Sequence, residues 1–451
     1  MTRAWFGGVT GTEIRQALEE AGVRPNRQLG QNFLCDPQVA RWITDQLDPQ
    51  PEDTVVEVGP GTGALTHQLL GRVRRLVLVE FDSRLAAWLR ESFADREDVE
   101  VHHADGARFD PRVLWKYRPV KFLGNLPYSA GGAILRNLLS RPQPFARAVI
   151  MLQKEVIERM CAVPRTKDYG VLTLRVRSQW EVKPLKVVPP EAFHPRPKID
   201  SSVALLEPLV DRFPVHDLRL FDELIRRGFS QRRKQLRKHM PDEPGWDEVA
   251  EMLGISPTAR AEELDLDEWV ALARAYDPHP LKEVAQRDGE TFDVVDEADE
   301  VVAQASRAEV HAKGLRHRAV HVFVVNSRGE LLVQQRSRLK DVHPGVWDSS
   351  VAGHLDAGEG YLSAARREMA EEMGIEDVEP EEIGRIDACE ATGWEHVRLY
   401  LVRWEGRPRF PSAEVEAVMW LAADEIDAWI AARPEDFASG FLECWKVARG
   451  R

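Results

Sequence analysis

Residues 54–70 read TVVEVGPGTGALTHQLL, a β-branched run, a turn with Gly59, Gly61 and Gly63, and then helical spacing of apolar residues. A strand that turns this tightly into a helix is the opening unit of a parallel sheet. Further strand-like runs recur at 76–82 (LVLVEFD), 120–125 (VKFLGN) and 147–152 (RAVIML), with helix-length segments between them. Alternation of this kind predicts a doubly wound α/β domain. Beyond LLEPL (205–209) the periodicity becomes helical, in FDELIRRGFSQRRKQLRKHM (221–240), WDEVAEMLGI (246–255) and LDEWVALARAY (266–276). We therefore expect an α/β domain over 1–205 and a small α-helical domain over 206–280.

Residues 277–290, DPHPLKEVAQRDGE, combine two prolines with alternating charge and no periodicity, as a linker would. After them come strand-like RAVHVFVVN, ELLVQQR and HVRLYLVRW around a helical segment, which predicts a mixed α/β domain over 281–451. Charge divides the same way. The chain carries 61 Lys+Arg and 74 Asp+Glu, but 21 of the basic and 34 of the acidic side chains fall in 281–451, leaving 40 of each before it. The net charge of −13 thus belongs to the C-terminal part, and the N-terminal part can present a basic face to nucleic acid. Cys35, Cys161, Cys389 and Cys444 form no CxxC pair, so no zinc site or disulfide framework is expected, and a cytoplasmic location fits. The absence of any apolar run of about 18 residues argues against a membrane partner.

Each part carries one chemical constellation. In the first, Glu80 ends a strand where a carboxylate can accept from ribose hydroxyls, and Asp105 in HHADG can accept from an adenine amino group. Asn125, Leu126, Pro127 and Tyr128 follow the fourth strand as NLPY. An exocyclic amine is a poor nucleophile because its lone pair is delocalised into the ring. An Asn oxygen and the next backbone carbonyl, accepting both N–H groups, would turn that lone pair toward a methyl sulfonium. Pro127 stiffens the turn, and Tyr128 offers a face to a flipped-out base. Because the leaving group is a neutral thioether, positioning dominates and no metal is required.

With LGQNFLCD (29–36), MLQKEVIERM (151–160), YGVLTL (169–174), VPPEAFHPRPKIDSSV (188–203) and FSQRRKQLRK (229–238), these stretches resemble the ribosomal RNA adenine N6,N6-dimethyltransferases of the small-subunit type. The resemblance implies a Rossmann-like fold with a small α-helical domain, S-adenosylmethionine as cofactor and 16S rRNA in the small ribosomal subunit as partner. It implies cofactor contacts at Asn32, Leu34, Gly59, Glu80, Asp105 and Asn125, with Gln31 and Gly61 beside them. It also matches Phe193 to the family's mobile aromatic, expected to sandwich the target adenine against Tyr128. The related large-subunit methyltransferases fit the 188–203 and 229–238 stretches less well. Residues 226–238 hold seven basic side chains and no acidic one, so Arg232, Arg233, Lys234, Arg237 and Lys238 are candidate RNA-phosphate contacts.

In the second part, GHLDAGEGYLSAARREMAEEMGI (353–375) places Gly353, Glu359, Arg367, Glu368, Glu371 and Glu372 at set intervals. On a helix Glu368, Glu371 and Glu372 share a face. Carboxylates grouped there suit Mg²⁺ or Mn²⁺ bound against a diphosphate-containing small molecule, with Glu371 among the catalytic groups. The pattern Gx5Ex7REUxEExGU, with U a bulky aliphatic residue, is met throughout and resembles the Nudix hydrolases, implying an α/β/α domain. The flanking residues look closest to the branch that includes isopentenyl diphosphate isomerase. Ala352 stands where that isomerase has its catalytic Cys, which favours hydrolysis. His317 and His354 could assist a metal, with His311 offset by one from the family position. A diphosphate isomerase and a nucleotide-binding module without turnover are the alternative readings of this half.

Overall fold

The computed structural model describes residues 10–25, 31–209, 216–278 and 290–450. Leu29 and Gly30 of the first motif, and most of the expected linker with its boundary at 280/281, lie outside them. The chain divides into two compact units, Met1–Pro214 with Phe221–Leu272, and Val215–Leu220 with Ala273–Arg451.

The first unit is built on seven strands: β1 (Thr54–Val58), β2 (Arg75–Glu80), β3 (Val99–His103), β4 (Val120–Asn125), β5 (Phe145–Gln153), β6 (Trp180–Val188) and β7 (Ser201–Pro208). Their order is β3-β2-β1-β4-β5-β7-β6. The first five run parallel, and β7 lies antiparallel to both β5 and β6. All residues of β1 are buried, because helices cover both faces of a parallel sheet and leave no polar side. Val55 and Val56 accordingly face separate cores. This is the expected Rossmann-like α/β arrangement. β2 stops at Glu80 rather than at residue 82, because the Asp82 carboxylate accepts from the N–H groups of Arg84 and Leu85 and caps the helix Ser83–Ser92.

Two boundaries differ from expectation. β7 runs through the anticipated division at 205/206, with Leu206 fully buried in the sheet's core. The basic stretch is not one continuous helix. Helix Leu218–Phe229 ends inside it, and a short 3-10 turn, Leu236–Lys238, follows. Leu236 explains the break: it is fully buried and its N–H donates to Ala259 O, which pulls the chain out of helical continuation. A Cβ on Gly228 would approach Trp269 to 2.6 Å, so the helix lies against that ring only through its glycine.

The second unit contains another seven-stranded sheet, in which His317–Val325 pairs parallel with Glu395–Arg403 and antiparallel with Val351–His354. Strand alternation divides the unit into layers. Val320, Val322 and Val324 pack with Met369 and Met373 of helix Tyr361–Met373. On the opposite face Phe323 meets Phe441 and Trp445 of helix Ser439–Ala448. The unit is therefore α/β/α, as expected. A hairpin, Thr291–Val295 with Val301–Ser306, precedes the sheet. No helix among the described residues is long and apolar enough to cross a membrane.

Candidate active sites

The ends of β1, β2 and β4 surround a cavity of about 250 Å³ in the first unit. Gly59 and Gly61 have φ of +72° and +58°, a region that other residues enter only with strain. A Cβ on Gly61 would also lie 2.8 Å from the Phe33 ring. Glu80, only 5% exposed, is held from both sides by backbone: its Oε2 accepts from Gly61 N at 3.0 Å and its Oε1 from Asp82 N at 2.8 Å. Burial pushes its pKa up, against those two hydrogen bonds. Asp105 Oδ1 is fixed by Ala107 N at 2.9 Å.

Asn125 Nδ2 donates to Asn32 O at 3.3 Å. This orients the amide and leaves Oδ1 as an acceptor. The Leu126 N–H donates to Met151 O, which ties the NLPY turn to β5. Gln31, Asn32, Leu34, Gly59, Gly61, Glu80, Asp105, Asn125, Leu126, Pro127 and Tyr128 all line this one cavity. Glu57, Phe81 and Leu85 line it too and were not singled out from the sequence. Glu57 is fully buried, accepts from Thr66 Oγ1 at 2.6 Å, and is pushed up to about 7, chiefly by burial. The acid in VVEVG was a usable signal for it.

Phe193 is placed away from the cavity in this structure. It is 4% exposed, lies in the core with Leu34 and Val39, and its backbone pairs with Leu34 in a two-residue ribbon. An aromatic ring with no polar atom is stabilised by that packing, and the loop prolines do not keep it outside.

The basic stretch also sorts differently. Arg232 is not free for phosphate: its guanidinium pairs with Glu262 and donates to the carbonyls of Thr166 and Lys167. It pins the turn to neighbouring chain. Arg237 forms an exposed pair with Asp247 at 3.0 Å, an arrangement worth little in water. Arg233, Lys234 and Lys238 are exposed.

In the second unit Gly353 makes room for Glu368, whose Cδ would lie 2.2 Å from a Cβ at that position. Arg367 organises the loop: it donates to Glu359 Oε2 at 2.8 Å, to Glu368 Oε1 at 2.8 Å and to His354 O at 3.0 Å. Glu368 is pushed up to about 7 by burial, against the pull of Arg367. Glu372 is pushed up to about 8 by burial, against Lys340 and with the repulsion of Glu368 and Glu414. Its Oε2 accepts from Gln334 Nε2 and Ala352 N, each at 3.2 Å.

Glu371 behaves otherwise. Its side chain is 64% exposed at the rim, 3.6 Å from Arg367. The three carboxylates therefore do not form one packed cluster, because Arg367 and Gln334 already engage the two buried ones. Two buried acids whose ionisation is opposed by burial still suit a divalent cation, since added positive charge would lower both pKa values.

The three histidines raised from the sequence come together in the structure, and Glu395, not singled out there, joins them. His311, His317 and His354 bring ring nitrogens within 4.8 Å of one another, and this is the one such grouping of three or more His, Cys, Asp or Glu among the described residues. His354 Nε2 lies 3.0 Å and His317 Nε2 3.6 Å from Glu395 Oε1. His354 is pushed down to about 3, mainly by burial. Burial opposes ionisation of Glu395, but its contacts with His317 and His354 hold it well below the usual range. The buried Nε2 atoms of His311 and His317 make no hydrogen bond. Imidazole nitrogens grouped in this way beside a carboxylate are a donor set that suits a metal ion.

Residues 22–277 match the family model described as ribosomal RNA adenine dimethylase. The chain belongs to that family. Residues 315–440 match the NUDIX domain, so the enzyme joins a methyltransferase to a Nudix domain. Among similar proteins is the ribosomal RNA small subunit methyltransferase A of Geobacter metallireducens, 42% identical over 264 residues, with 56% of this chain and 96% of that protein covered. The protein of the same name from Syntrophotalea carbinolica is 40% identical, with coverages of 57% and 98%. A solved dimethyladenosine transferase from Plasmodium falciparum is 26% identical, with a TM-score of 0.46 and coverages of 53% and 95%.

Proposed function

We propose that residues 1–280 dimethylate the N6 amine of adenosines in 16S rRNA of the small ribosomal subunit, in the cytoplasm, using S-adenosylmethionine. The observation that carries this reading is the single cavity shared by Glu80, Asp105 and the Asn125–Tyr128 turn, with the Asn125 amide oriented by Asn32 O. S-adenosylmethionine, when bound, would supply an electrophilic methyl group with a neutral thioether as its leaving group. Glu80 and Asp105 hold the adenosine end. Asn125 Oδ1 and Leu126 O accept from the target amine and turn its lone pair toward the methyl carbon. The amine proton would pass to water. Tyr128 supports the base by stacking. Arg233, Lys234 and Lys238 contact phosphate, whereas Arg232 serves the fold. Phe193 could meet the adenine only by leaving its core position, and no step here depends on it. The names of the Geobacter and Syntrophotalea relatives support the small-subunit substrate. Transfer of labelled methyl to unmethylated small subunits tests the reading; no dimethyladenosine in the product would sink it.

We further infer that residues 281–451 hydrolyse a diphosphate-linked small molecule with Mg²⁺ or Mn²⁺. Glu368 and Glu372 would hold the cation, with Glu371 completing the set from the rim, and the ion would polarise the diphosphate and acidify a water. Arg367 orients the loop, and Gly353 admits Glu368. Mg²⁺-dependent phosphate release across a panel of diphosphates, lost in Glu371→Gln and Glu372→Gln, checks this assignment. The His311, His317, His354 and Glu395 grouping favours a second reading, in which this half descends from the isopentenyl diphosphate isomerase branch and keeps a His-rich metal site. Ala352 at the position of the isomerase's Cys argues against isomerisation itself. Measuring product from isopentenyl diphosphate separates the two.

A further inference from the structure

We infer that Ser201 is a positioning residue for methyl transfer, setting the plane of the Tyr128 ring; this rests on the methyltransferase reading above. Tyr128 Oη and Ser201 Oγ are 2.6 Å apart. Ser201 is fully buried at the start of β7, where its backbone is in register with Gln153 of β5 on one side and Val188 of β6 on the other. It is thus fixed by sheet on both flanks. Tyr128 lies on the connection after β4, and its half-buried ring lines the cavity. The turn's backbone is tied at Leu126 N to Met151 O, and Pro127 O accepts from Ala130 N and Gly131 N. Those bonds hold the main chain, while the hydroxyl bond holds the far end of the ring against the sheet.

The chemistry makes that orientation matter. A stacked base takes its plane from the ring beneath it, and that plane sets where its exocyclic amine meets Asn125 Oδ1. Rotation of the ring therefore misaims the lone pair even when the cofactor is bound normally. Stacking itself needs only the ring face, which phenylalanine also supplies. The hydroxyl's role is orientation, and burial, opposed by the Ser201 bond, raises its pKa and keeps it neutral. The second methylation is the more sensitive step, because a monomethylated amine retains one N–H to anchor it rather than two.

The test uses the full chain, unmethylated small subunits and labelled S-adenosylmethionine, with Ser201→Ala, Tyr128→Phe and the double variant. One neutral hydrogen bond lost from the aligned state predicts about a five- to tenfold fall in kcat for each single variant. The double variant should be no slower than either, monomethyladenosine should accumulate, and S-adenosylmethionine affinity should match the unaltered chain, with Tm lowered by no more than one lost hydrogen bond accounts for. Wild-type kcat and product ratio in Ser201→Ala would overturn the proposal, as would a fully active Tyr128→Phe beside an impaired Ser201→Ala. Loss of cofactor binding, or a fall in Tm clearly larger in Ser201→Ala than in Tyr128→Phe, would overturn it too, by making the residue structural. If the unaltered chain transfers no methyl group, the methyltransferase reading fails and takes this proposal with it. Transfer by the unaltered chain with an unaffected Ser201→Ala sinks the proposal alone.

Discussion

The two sites hold their charged groups in different ways. In the methyltransferase unit the polar atoms are fixed by backbone: Glu80 by two main-chain N–H groups, Asp105 by a third, and Asn125 by a carbonyl. In the Nudix unit other charges take a larger share, with Arg367 shared between Glu359 and Glu368 and Lys340 paired with Glu414, while Glu372 accepts from Gln334 Nε2 and Ala352 N. Main-chain dipoles cannot leave a site. Side-chain charges can be exchanged for those of an arriving ion. The first arrangement suits a reaction that needs aim more than charge. The second suits one that recruits a cation and a diphosphate, where existing pairs are traded for new ones.

The largest expected effect tests the backbone-held site. Asn125→Ala removes the aimed acceptor and should lower methyl-transfer kcat by about a hundred- to a thousandfold, with little change in S-adenosylmethionine affinity. A loss of affinity without loss of kcat would show that Asn125 binds rather than aims.

Glu57 probes the exception in that unit, a buried acid whose partner is the Thr66 hydroxyl. Its folded pKa of about 7 lies above the ordinary 4.5, so the folded state holds the proton more tightly than the unfolded one. Stability should fall as pH rises from about 4.5 through 7, by roughly 3 kcal/mol in all. Glu57→Gln keeps an acceptor for Thr66 and should remove that slope, leaving stability unchanged near pH 4 and higher at pH 8. Urea unfolding across pH reads it, and parallel slopes for both proteins would contradict the assignment.

For the charge-held site, Arg367→Ala strands two carboxylates and should cost about 2 kcal/mol in urea unfolding, after allowance for partial exposure. Added Mg²⁺ should recover part of that loss if cation and arginine are interchangeable there. A loss unaffected by Mg²⁺ would erase the contrast between the two units.

The smallest effect concerns the basic stretch. Arg233→Ala should reduce the dependence of log K for RNA on log salt by about one counterion. Arg232→Ala should leave that slope alone and lower thermal stability instead. Equal slopes in the two variants would return Arg232 to the RNA face.

Legibility followed sequence distance. The Gly59–Gly61 turn, Glu80, Asp105 and NLPY were readable because each sits at the end of its own strand, and parallel strands deliver their ends to one edge. Arg367 with Glu359 and Glu368 was readable because one helix and its preceding loop fix their spacing. Ser201 was inside a quoted motif, yet its partner Tyr128 precedes it by two strands of the sheet and three α-helices. Nothing local marks that pair. The His311, His317, His354 and Glu395 grouping draws on a helix and three strands, and it forms only when the sheet sets His317 beside Glu395 in register.

Alone, the sequence determined that two chemistries share this chain, because strand-end and helix-face spacing are local properties of the backbone. Tertiary structure decided which side chains of each motif are free to act. Phe193 was taken by the core, Arg232 by Glu262 and two carbonyls, and Glu371 was left at the rim while its neighbours were buried. The physical reason is competition: a ring, a guanidinium or a carboxylate takes the partner that lowers its free energy most. Those partners are supplied by segments that sequence spacing does not bring together.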